Sequence, residues 1–114
     1  MCYAAYTKGT TALLCAILGA AERLGVREEL QHQWAHDDAG FPDQVAQRVQ
    51  RVTAKAWRFA GEMDEIAATF QEAGLPGGFH QAAADVYRRM ARFKDAPATP
   101  DLAEVLAALL DPES

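Results

Sequence analysis

Apolar positions recur along this chain at steps of three and four, the spacing of a helix that buries one face. Tyr3, Tyr6, Thr10, Leu13, Ile17, Ala20 and Leu24 hold that alternation without a break, and Leu14, Leu18 and Ala21 widen the stripe. Gly25 supplies a position that tolerates the left-handed conformation, and Val26 can fold back on the last turn, so the pattern predicts a first helix ending near Leu24. No capping residue announces its start. A short helix over Arg27 to Ala35 is expected next, with Leu30 and Trp34 on its inner face, followed by a turn in "HDDAGFP".

Pro42 suits the first turn of a further helix, and Asp43 suits its positive end. From there Val45, Val49, Val52, Ala56, Phe59, Met63, Ile66 and Phe70 keep one register, predicting over 43–73 either one long helix or two collinear ones kinked at Gly61. Gly74, Leu75 and Pro76 stop it. Phe79, Ala83, Val86, Met90 and Phe93 mark another amphipathic helix. After "KDAPATP", Thr99 is the expected cap, Pro100 the expected first helical residue, and Leu102, Val105, Leu106 and Leu109 the inner face of a last short helix. No segment alternates with the period of a strand. The pattern predicts an all-α bundle of five to six helices.

Length makes this a single helical domain over 1–114, large enough for a real core. A formal net charge of −5 disfavours a broad electrostatic grip on nucleic acid or an anionic membrane. Cys2 and Cys15 stand about 19 Å apart on one helix, at about 1.5 Å per residue, which excludes a bridge between them. Both read as small buried apolar residues. Without a signal sequence or a long apolar run, the expected location is cytoplasmic.

Candidate chemistry is sparse. His32 and His36 share a helix face beside Asp37 and Asp38, but no second ligand pair accompanies them, so no metal site is expected. The glycines of "GLPGGF" precede a helix, yet neither dinucleotide-binding nor P-loop spacing is present, and a plain turn is the expectation. Lys8 sits among Tyr3, Tyr6, Thr7, Thr10 and Thr11, which is either a solvated face or one meant for a partner or ligand. Glu62, Asp64 and Glu65 near Trp57 and Met63 pose the same choice. His80 is expected to cover Phe79 or to bond a neighbouring turn rather than to move protons.

Two stretches, "MCYAAYTKGTTALL" and "KAWRFAGEMDEIAATFQEAGLPGGFHQAAADVYRRM", together with their separation, resemble the C-terminal helical domain of NAD-binding, 6-phosphogluconate dehydrogenase-like proteins. These proteins belong to the β-hydroxyacid dehydrogenase superfamily, and the domain in this subgroup is one of unknown function. The resemblance runs from Met1 to about Phe93. It implies an N-terminal Rossmann domain that binds NAD or NADP, a helical domain that completes the active site, and an intertwined homodimer. The catalytic lysine of the family would fall immediately before Met1, so this chain carries neither that lysine nor a cofactor site.

Ala4 stands where the superfamily places an asparagine, and Gly61 and Glu62 stand where it places a lysine–aspartate pair. Gly9 matches a glycine that allows close approach of substrate or helix. By the same resemblance Tyr3, Lys8, Gly9, Trp57, Glu62 and His80 are the substrate-facing candidates, with Lys8 as partner for an acidic or hydroxylated small molecule. Two functions are expected from this. One is a substrate-binding and dimerisation domain, inactive alone, whose Rossmann partner is supplied in cis or in trans. The other is a free-standing, non-catalytic binding or interaction protein.

Overall fold

The computed structural model describes residues 1–113, and among them six α-helices and no strand. They are α1 (Cys2–Leu24), α2 (Arg27–Asp37), α3 (Phe41–Val52), α4 (Ala56–Glu72), α5 (Gly78–Arg89) and α6 (Leu102–Leu110). The all-α bundle read from the sequence is the fold. α4 and α5 form the most extensively packed pair, and α1 lies against α5, α6, α3, α2 and α4 in turn, which makes it the central helix.

The helix ends follow local chemistry. Gly25 has φ 74°, and the Val26 and Gly25 amides donate to Ala21 O and Glu22 O, closing α1 with the paired bonds of a Schellman motif. Gly74, at φ 85°, closes α4 the same way, with Leu75 N–H donating to Phe70 O and Gly74 N–H to Gln71 O. α6 begins two residues later than expected, at Leu102 rather than Pro100. Asp101 is its cap, in a reciprocal capping box with Glu104, while Pro100 lies buried before it. Thr99 is therefore not the cap.

The long register from Val45 to Phe70 faces the core throughout, with Val45, Val49, Ala56, Phe59, Met63 and Ile66 buried. It is interrupted by a 3-10 turn at Thr53–Lys55, and Gly61 lies inside an unbroken α4. At the turn, the Thr53 hydroxyl bonds Gln50 O and its side chain is buried, so a polar residue takes a core position by satisfying itself locally.

α1 departs most from expectation. Ala5, Thr11, Ala12, Cys15, Leu18 and Ala21 are its buried positions, whereas Tyr3, Tyr6, Leu13 and Leu24 of the expected stripe are exposed. The core seam is built mostly of small residues, with Leu18 its one large buried side chain, because five other helices crowd this one. Phe79 is likewise 75% exposed, and α5 turns His80, Ala83, Ala84 and Tyr87 inward instead. Cys15 is buried as expected. Cys2, expected to be buried, is exposed, as are its neighbours Met1 and Tyr3 at the start of α1.

Candidate functional site

Two turns of α1 collect most of the sequence candidates. Lys8 Nζ donates to Glu62 Oε2 at 2.5 Å and stands 4.2 Å from the centroid of the Phe59 ring. Phe59 in turn meets Tyr87 edge-to-face at 5.6 Å, and the Tyr87 hydroxyl donates to Lys8 O at 2.6 Å. A cation over an aromatic face, beside a half-exposed carboxylate, is held in one place yet is already neutralised. Any anion arriving at Lys8 would compete with Glu62.

One residue further on, Gly9 receives the ring of His80. A Cβ at Gly9 would stand 2.8 Å from His80 Nε2, so glycine is what lets α5 approach α1 here. The approach delivers a hydrogen bond from Nε2 to Ala5 O at 3.1 Å. A carbonyl only accepts, so Nε2 carries the proton, and Nδ1 is left buried without a partner. Phe70 packs edge-on against the ring at 4.8 Å. His80 and Tyr87, two turns apart on α5, thus both bond α1 carbonyls, and their placement is that of a helix–helix staple.

The remaining two candidates stand apart from these bonds. Tyr3 is 79% exposed on the first turn of α1, and Trp57 is half-exposed at the start of α4 with Lys94 Nζ 4.1 Å above its ring. The structure therefore joins Lys8 with Glu62 and Gly9 with His80, and gives Tyr3 no partner of this set.

Sequence reasoning missed Arg48. Its Nε donates to Thr11 Oγ1 at 2.6 Å, and its Nη2 donates to Thr7 O at 2.9 Å and Thr10 Oγ1 at 2.8 Å. The hydroxyl-rich start of α1 is thus clamped by α3. The available signal was the recurrence of Arg48, Arg51 and Lys55 along the flank of the valine stripe.

Beside the Gly9–His80 contact, α1 and α5 bound an apolar groove of about 540 Å³, walled by Ala12, Leu13 and Ala16 from α1 and Phe79, Ala82 and Val86 from α5. Burial pushes the Cys15 thiol, between these two helices, up to about 12, against smaller opposing effects of its backbone hydrogen bond and of the Arg48 charge. The Tyr87 phenol is pushed above its ordinary range for the same reason. Neither group is poised to ionise near neutrality.

No group of three or more His, Cys, Asp or Glu among the described residues is placed to hold a metal ion. No described helix is long and apolar enough to cross a membrane. The glycine-rich turn before α5 does not form a phosphate cradle. No strand leads into "GLPGGF", and Gly77 is packed so that a Cβ would stand 2.9 Å from Ala67 O, leaving no cradle for a phosphate.

Fold and site together define a small all-helical domain whose central helix carries an ion pair, a histidine staple and an open apolar groove. A model of a domain family of unknown function, DUF1932, matches residues 21–90, and the chain belongs to that family. The match begins past the opening "MCYAAYTKGTTALL". No curated protein and no solved structure matches the chain.

Proposed function

We propose that this chain is the C-terminal substrate-binding and dimerisation domain of an NAD(P)-dependent, 6-phosphogluconate dehydrogenase-like oxidoreductase, inactive by itself. The observation that carries the reading is the exposed apolar face of α1 and α5. Tyr6 and Leu13 on the central helix α1 and Phe79 on α5 all stand in solvent, Leu13 and Phe79 at the groove itself, a clustered apolar patch of the kind that marks a docking surface. A Rossmann domain or a second copy seated there would bury them. Membership of the DUF1932 family and the resemblance of the two quoted stretches support the enzyme class.

On this reading hydride chemistry is supplied by NAD or NADP held on the partner domain. This chain's residues bind and orient: Lys8, set by Phe59 and exchanging Glu62 for an acidic substrate, is the anion contact. The test is to add a separately produced cognate Rossmann domain and assay hydroxyacids with NAD(P). Association with restored turnover is the expected result. Absence of any association, combined with a native product of 12.4 kDa that binds a ligand without NAD(P), favours the free-standing binding protein instead.

A further inference from the structure

The outer flank of α3 holds a second groove, also about 540 Å³, lined by Thr11, Gln44, Gln47, Arg48, Arg51 and Lys55, with Val52 on its floor. Its makeup is unusual for this protein. Acidic residues outnumber basic ones by 16 to 11 in the whole chain, yet the groove contains three cations and no carboxylate. Lys8, Arg27, Arg88 and Arg89 face Glu62, Glu22, Asp64 and Asp85, respectively. Among the described residues no such partner stands within ion-pair distance of Arg48, Arg51 or Lys55.

The groove is also organised in advance. Arg48 uses Nε and Nη2 on Thr11, Thr7 and Thr10, which fixes the guanidinium plane against α1 and leaves both Nη1 hydrogens without a protein acceptor. Arg51 lies one turn further along the same flank. The 3-10 turn at Thr53–Lys55 then keeps Lys55 on that flank although α3 has ended. Gln44, one turn before Arg48, and Gln47, one turn before Arg51, add amide donors. Donors of this kind, converging on a space the size of a small-molecule site, match an anion of charge −2 or more whose oxygens accept from several directions.

We propose that this groove binds a small molecule through a phosphate group. Nucleic acid is a poorer fit, since three cations on a chain of net charge −5 cannot follow a backbone of many phosphates. The proposal is independent of the enzyme reading, which concerns Lys8 and the α1–α5 face.

Amide NMR spectra of the full chain, titrated with inorganic phosphate, pyrophosphate, a sugar phosphate and NADP at constant ionic strength, test it. Saturable shifts confined to residues 44–55 and Thr11 are expected. The double variant R51Q/K55Q, whose side chains are exposed and bond nothing in the fold, should weaken binding about tenfold or more. R48K keeps the charge but loses the fixed Nη1 edge, and should also weaken it. A sugar phosphate or NADP binding more tightly than inorganic phosphate identifies an organic ester as the ligand, whereas equal affinity for all identifies the free anion. Shifts that KCl reproduces, shifts unchanged in R51Q/K55Q, or equal binding of citrate would each overturn the assignment to phosphate.

Discussion

Cys15 and Cys2 show how much one residue's behaviour depends on where its helix lies. Cys2 is exposed and should react with a maleimide in the native protein, while Cys15 should be protected until the chain unfolds. Counting modified thiols by mass with and without denaturant checks this. The same burial predicts alkaline instability. The Cys15 thiol ionises near 9 in the unfolded chain but only at about 12 in the folded one, so the unfolded state loses its proton first. The stabilising contribution is fully present below about pH 9 and disappears as pH rises towards 12, with Tyr87 adding to the loss in the same direction. Urea titrations across that range should show stability falling, and falling less steeply in C15A. At Gly9, a methyl group would strike His80 Nε2 and displace it from Ala5 O. G9A should therefore cost about 1–3 kcal/mol in the same titrations.

Among the elements, the α4–α5 hairpin offers a matched pair of glycines. Gly61 is interior to α4 with open space where its Cβ would be, so G61A should stabilise the protein by about 0.5–1 kcal/mol through helix propensity alone. Gly77 is buried in the turn, and its added methyl would meet Ala67 O and the Gln71 side chain at 2.9 Å, so G77A should be destabilising by about 1–3 kcal/mol. Opposite shifts in thermal midpoint are the expected readout. Asp101, whose carboxylate accepts from the Glu104 amide at 2.8 Å, should cost about 1 kcal/mol when replaced by alanine.

For the molecule as a whole, the exposed face of α1 and α5 sets solution behaviour. Leu13 is 58% exposed, so L13E should leave thermal stability nearly unchanged. If the proposed docking face is used by a second copy, the wild-type chain should self-associate in sedimentation velocity and L13E should sediment as a monomer. Equal sedimentation of the two as monomers would sink the homodimer and leave the groove to another occupant.

The all-α class and the helix ends at Gly25 and Gly74 were legible in the sequence, since periodicity and left-handed caps are local properties. So was the inner face of α3 and α4, because its valines, Phe59, Met63 and Ile66 have no competing stripe. On α1 two stripes compete. The bulky one is the stronger signal, and only the packing of five neighbours chose the stripe of Ala5, Ala12, Cys15 and Leu18. A resemblance singled out Lys8, Glu62, Gly9 and His80, but their pairing joins residues 54 and 71 positions apart, which no local pattern encodes. Arg48 drew no notice for the same reason: its partners lie on another helix. Local sequence determined the helices and most of their ends, because capping and periodicity act within a few residues. Tertiary structure alone decided which face of α1 is core, which cations keep a partner and where the two grooves open, because each depends on contacts between helices distant along the chain.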